Sequence, residues 1–148
     1  MKICIIVSNF YPGISKQLLN GALLILKKNK ITNFKIVMVP GTYEIPVVIS
    51  NLTKKYDGFI VLGCIIKGQT FHFDYLCKSV FNALTNLSIK SKIPIGNGIL
   101  TCKNKKQAFD RADSKKKDKG GEAAKALISV LKIIRKWKKM KELKTLES

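Results

Sequence analysis

At 148 residues and 46% hydrophobic content, the chain has the size and make-up of one globular domain with a single sizeable core. Its uncharged apolar runs, such as Phe59–Ile66, are far too short to cross a bilayer, which excludes a membrane-spanning helix. The formal net charge of +19 invites a nucleic-acid reading, yet 26 of the 28 cations are lysine and only Arg111 and Arg135 are arginine, the residue that suits bidentate recognition of phosphates and bases.

The apolar start Ile3-Cys4-Ile5-Ile6-Val7 lacks a small-residue cleavage site and leads straight into strand–loop–helix patterning. It therefore reads as a first strand, Ile3–Val7, and not as a secretory signal. A helix follows, with Ser15 as its cap and Leu18, Leu19, Ala22, Leu23 and Leu26 on one face, ending near Asn29-Lys30. Strand Lys35–Val39 comes next. Ile45-Pro46 opens a second helix, with proline tolerated in the first turn, and carries it through Val48, Ile49 and Leu52 to about Lys55. Asp57-Gly58 turns into strand Phe59–Ile65. A third helix follows His72 with Tyr75, Leu76, Val80, Ala83, Leu84 and Leu87 at helical spacing. After strand Ile95–Thr101, Asn104 caps a short helix over Lys105–Ala112. Gly120-Gly121 then precedes a long helix with Ala124, Leu127, Ile128, Leu131 and Ile134 on one face. The stretch from Arg135 is charge-dense, and its end is expected to fray.

Strands alternating with helices imply an α/β fold: a three-layer αβα sandwich around a four-stranded parallel sheet, flavodoxin-like, with right-handed crossovers, as one domain over residues 1–148. The positive charge is spread through it. Residues 1–102 hold 12 basic and 3 acidic groups and residues 103–148 hold 16 and 6, which reads as compositional drift and not as a dedicated binding patch. Cys4, Cys64, Cys77 and Cys102 are scattered, with no Cys-x-x-Cys and no histidine cluster. No metal site is expected, and reduced, packed thiols in the cytoplasm are.

Ligands of open α/β sheets bind outside the carboxyl ends of the strands, so the loops there matter most. Gly63-Cys64-Ile65-Ile66-Lys67-Gly68-Gln69-Thr70-Phe71-His72-Phe73-Asp74-Tyr75 is the most informative of them, because it carries the only histidine from a buried strand into a helix N-terminus. Unpaired N–H groups and the positive end of the helix dipole suit an anion, and histidine is the residue type that exchanges protons near neutrality. The segment thus fits proton transfer beside a phosphate. It also fits a plainer arrangement, in which His72 is a structural hydrogen-bonder, Gly68 a turn and Gln69-Thr70 a helix cap. Ser8-Asn9-Phe10-Tyr11-Pro12-Gly13, Val39-Pro40-Gly41-Thr42-Tyr43-Glu44 and the approach to the fourth strand, Pro94 to Thr101, meet the same edge. Phe10 and Tyr43 can stack on a planar ring or pack at the rim. Glu44 can accept hydrogen bonds from a ligand or complement a helix N-terminus.

Together these segments resemble the lumazine synthase family. The matching pieces are Phe10, then Val39-Pro40-Gly41-Thr42-Tyr43-Glu44-Ile45-Pro46, then Gly63 to Cys77 with Gly68, Thr70, His72, Asp74 and Tyr75. Gly98-Ile99-Leu100-Thr101, Gln107-Ala108, Arg111-Ala112 and Lys119-Gly120 follow at consistent spacing. The resemblance implies a transferase of riboflavin biosynthesis. It condenses 5-amino-6-(D-ribitylamino)uracil with 3,4-dihydroxy-2-butanone 4-phosphate, using no metal or organic cofactor. It implies that Phe10 stacks on the pyrimidine, with Thr42, Tyr43, Glu44, Cys64, Ile65, Ile66 and Asn97 around that ring and the ribityl chain. Gln69, Thr70 and Arg111 would bind the phosphate, Lys119 would face the ribityl side, and His72 would move protons. His72, Arg111 and Lys119 are thereby the implied catalytic set. It further implies a homopentamer, in many members built into an icosahedral shell of sixty subunits, with sites between neighbours: Phe10, Glu44 and His72 from one, Asn97, Arg111 and Lys119 from the next. Riboflavin synthase is an implied partner; a specific nucleic acid and a membrane are not.

The chain departs from the family pattern at four positions. Asn97 stands where an aromatic is usual, Tyr11 where asparagine is, Lys67 where arginine is and Asp118 where asparagine is. The first strand is also expected to begin without the N-terminal extension that in many relatives adds a strand to a neighbour's sheet. A shell protein that kept the fold without the activity, and a basic nucleic-acid-binding module, are the competing readings. Intact Glu44, His72, Arg111 and Lys119 argue against the first and the scarcity of arginine against the second.

Overall fold

The computed structural model describes residues 1–147. Four parallel strands, β1 (Ile3–Ser8), β2 (Phe34–Val39), β3 (Gly58–Ile66) and β4 (Ile95–Cys102), form one sheet in the order β2-β1-β3-β4. This is the order of a flavodoxin-like sheet, whose connections reverse direction between β1 and β3. Register is set by Ile3 opposite both Phe34 and Gly58, and by Phe59 opposite Ile95. The two inner strands are buried on both faces, β1 along its whole length and β3 up to Ile65, because helices cover each side.

Side-chain alternation divides the core between those sides. Ile3, Ile5, Val7, Ile60, Leu62 and Leu100 pack against α1 (Pro12–Lys28), α4 (Lys105–Ala112) and α5 (Lys119–Leu146). Cys4, Ile6, Phe59, Val61, Ile65 and Ile99 face α2 (Ile45–Leu52) and α3 (His72–Ser91). The second layer is the thinner one. Of the 20 residues of α3 only Val80 and Leu84 are buried, and Tyr75 is 73% exposed.

Three helix ends correct the sequence expectations. Helix α1 starts at Pro12, three residues before Ser15, since proline's fixed φ is pre-set for the first turn. The Ser15 hydroxyl, freed from capping, donates to the Ser8 carbonyl at the end of β1. Helix α2 stops at Leu52, where the Lys55 N–H turns back to the Leu52 carbonyl at 2.9 Å. Gly120 and Gly121 do not precede α5 but form its first turn; Asp118, at φ 47°, caps it by accepting from the Gly121 N–H at 3.1 Å. A Cβ on Gly120 would lie 2.0 Å from the Leu18 carbonyl oxygen, so glycine here lets α5 cross α1 in contact. Asn104 caps α4 as expected, accepting from the Gln107 N–H at 2.8 Å. Helix α5 runs on through the charge-dense stretch to Leu146; Ser148 lies outside the described residues.

Candidate active site

The reversal of strand order opens a cleft at the carboxyl ends of β1 and β3, with a volume of about 590 Å³. Each of the three loops converging there is held by the sheet. After β1, the Asn9 N–H donates to the Val39 carbonyl at 2.8 Å, which fixes the loop that presents Phe10. Phe10 is 67% exposed, so its ring face is open to the cleft. Its ring meets Tyr11 edge to face, 5.0 Å between centroids at 73°, and the Lys105 ammonium lies 5.9 Å from the Tyr11 ring.

After β2, residues Thr42–Glu44 form a single 3-10 turn that the sequence did not announce. Thr42 is buried, with its methyl and the Ser8 side chain packed so tightly over Gly63 that a Cβ there would sit 2.9 Å from each. That crossing ties all three loops together. Tyr43 points outward, and the Glu44 carboxylate curls back over Gly41. At the end of β3, Cys64 and Ile65 are buried and Ile66 half-buried, so this wall is largely main chain and aliphatic surface.

The fourth wall is the loop into α3. Thr70 Oγ1 accepts from the His72 N–H at 3.3 Å at the start of the helix. His72 is exposed and lines the cleft with Thr70 and Gly68. The remaining N–H groups of that first turn and its dipole favour negative charge at this end, where the Asp74 carboxylate of the same turn also lies.

Phe10, Thr42, Tyr43, Glu44, Cys64, Ile65, Ile66, Thr70 and His72 are thus gathered in one cleft. Gln69 is exposed beside it without lining it. Arg111 is elsewhere: on α4, it lines a second cavity of about 590 Å³ with Lys106, Gln107 and Lys116. Lys119, at the start of α5, is paired with Glu122 at 2.7 Å. Asn97 stands exposed on the edge strand β4, its Oδ1 accepting from the Ile99 N–H at 3.0 Å. Within one chain, Arg111, Lys119 and Asn97 do not join the cleft. Tyr11, Phe73 and Leu76 do line it and were not singled out as site residues. The spacing of Phe73 and Leu76, three apart at the start of α3, is the signal that could have revealed an apolar wall.

Burial pushes the Cys64 thiol up to about 12, with the neighbouring Cys102 sulfur adding to the effect. Cys102 is also raised by burial, against the pull of the Arg111 charge. Burial likewise takes Cys4 up to about 11. These thiols are poor nucleophiles, and Cys64 contributes surface to the cleft and no reactive thiolate. Among the described residues there is no group of three or more His, Cys, Asp or Glu able to hold a metal, and no helix is long and apolar enough to cross a membrane.

The family model for 6,7-dimethyl-8-ribityllumazine synthase matches residues 1–135. The chain is similar to the 6,7-dimethyl-8-ribityllumazine synthase of Bartonella henselae, 43% identical over 135 residues that cover 88% of this chain and 86% of that one. It is also similar to the enzyme of the same name from Buchnera aphidicola subsp. Baizongia pistaciae, 44% identical over 137 residues that cover 89% of this chain and 86% of that one.

Proposed function

The chain belongs to the 6,7-dimethyl-8-ribityllumazine synthase family, and from that premise we propose how its own residues carry the reaction. Its activity is lumazine synthesis in riboflavin biosynthesis: 5-amino-6-(D-ribitylamino)uracil and 3,4-dihydroxy-2-butanone 4-phosphate condense to the lumazine, releasing phosphate and water. The observation that supports the assignment of roles is that an exposed phenylalanine, a glutamate and a histidine at a helix N-terminus line one cleft.

Phe10 offers its exposed ring to the pyrimidine, and Glu44 accepts hydrogen bonds from the ribityl hydroxyls or ring N–H groups. The main chain of Cys64–Ile66 reads the pyrimidine edge. The phosphate sits at the N-terminus of α3, with N–H groups of Gln69 and Thr70 directed to it. His72, beside that seat, takes the proton released as the amine attacks the ketone and returns one as water leaves the carbinolamine. Phosphate elimination then proceeds where positive groups stabilise the departing charge. Holding the two substrates in register for the first condensation accounts for much of the rate, since orientation can supply roughly 7–11 kcal/mol.

Arg111 and Lys119 complete this chemistry only from a second copy. Arg111 suits the phosphate with its fixed guanidinium fork, and Lys119 the ribityl side. Asn97, from the same second copy, closes the pyrimidine pocket. The assembly that brings the halves together is a cyclic pentamer, closed by a heterologous interface, and pentamers of this kind build an icosahedral shell. The exposed face of α3 and the edge strand β4 supply the unpartnered surface that such an interface needs.

The purified protein, mixed with the two substrates and a chelator, is expected to yield the fluorescent lumazine. No turnover by correctly assembled protein would contradict the proposal, as would activity that returns only on adding a divalent ion.

A further inference from the structure

The last turns of α5 carry a surface that the site does not use. From Arg135 to Glu147 every side chain is exposed, and these turns extend past the residues matched to the family. Val130, Ile133, Trp137 and Met140 recur at intervals of three, four and three, which sets them in one stripe along the helix. All four are exposed, Ile133 at 54% and Trp137 at 60%. Helical periodicity puts the stripe on the side of α5 away from Ala124, Leu127, Ile128 and Leu131, which are buried in the core. Lys136 and Lys141 border it. Between Val130 and Glu147 lie seven basic side chains and only two acidic ones.

We propose that this face docks on an anionic lipid surface, with α5 lying along the headgroups, the stripe dipped into the acyl boundary and the flanking lysines on lipid phosphates. A stripe of Val, Ile, Trp and Met bordered by lysines meets both demands of such a boundary, apolar burial and charge complementarity. Tryptophan is suited to that depth, with an apolar ring and one N–H donor. A second copy of the helix satisfies only the apolar demand, because it sets one row of lysines against another. A nucleic acid satisfies only the charge and leaves the stripe in water. Such docking departs from the sequence expectation of no membrane partner; a helix that lies on a surface need not be long and apolar enough to cross it.

Trp137 is the only tryptophan, so its emission reports this face directly. The assembled protein is titrated with vesicles of phosphatidylcholine, with and without phosphatidylglycerol. A blue shift and co-sedimentation are expected with the anionic vesicles alone, weakened by salt. Ile133→Glu with Met140→Glu should lower that partition by about tenfold or more while lumazine formation is unchanged. Equal binding by this double variant would overturn the proposal, since the lysines alone would then account for it. So would emission already blue-shifted without vesicles, the mark of a neighbouring copy on the stripe, or a response to a duplex oligonucleotide but to no vesicle, or no response at all.

Discussion

Asn97 is the position at which the sequence resemblance leads one to expect an aromatic, and its setting explains how a strand tolerates the amide. Asparagine is a poor strand former, but here its Oδ1 is satisfied by the Ile99 N–H two residues on, at the exposed face of an edge strand. Asn97→Phe removes one local hydrogen bond and restores an aromatic face. It should tighten the pyrimidine substrate by about 1–3 kcal/mol, as base–aromatic stacking does elsewhere, read by calorimetry on that substrate alone. Unchanged or weaker binding would mean that the pocket is built around the amide. Cys4 gives a second test at this scale. Its thiol is raised from 9.0 to about 11 by burial in the folded chain, so its contribution to stability is fully present below pH 9 and is lost as the pH rises toward the folded value. Between pH 8.5 and 10.5 the native protein should therefore lose about 1.5–2 kcal/mol more stability than Cys4→Ala in urea titrations. Parallel loss in both would show that this thiol does not titrate differently on unfolding.

Elements were legible in the sequence where a local cause fixes them. Strands β1, β2 and β3 follow from apolar, β-branched runs, and α4 from an asparagine whose side chain does cap. The errors fall where a second cause competes. Ser15 looks like a cap, yet Pro12 starts α1 earlier and the hydroxyl turns to Ser8 instead. Gly120-Gly121 looks like a break, yet the crossing of α1 and α5 demands glycine inside a helix, a tertiary fact that no local pattern carries. The 3-10 turn at Thr42–Glu44 depends on the burial of Thr42 against Gly63 and was invisible for the same reason. Gly120→Ala should accordingly destabilise the fold by about 1–3 kcal/mol despite alanine's better helix propensity, because the clash is with main chain. Gly68→Ala, with open space around it, should leave the midpoint of urea unfolding unchanged. A Gly120 variant as stable as the native chain would show that α5 can shift away from α1.

At the scale of the whole molecule, the proposed function makes the cleft half a site. Phe10, Glu44 and His72 could be grouped from sequence because they follow consecutive strands at one sheet edge, and the structure brings them to one cleft. Arg111, Lys119 and Asn97 could be named only by family likeness, which also implied that they serve a neighbour's site; in one chain they lie apart from the cleft. The central claim is that neighbouring subunits complete each other's sites, and it is tested most directly by mixing two damaged chains. One carries Glu44→Ala with His72→Ala, the other Arg111→Ala, and each alone should make lumazine slowly. Co-assembled in equal amounts, random rings contain about a quarter of interfaces in which both halves are intact, and about a quarter of native activity should return. Activity no higher than the mean of the two separate variants would contradict a site shared between subunits.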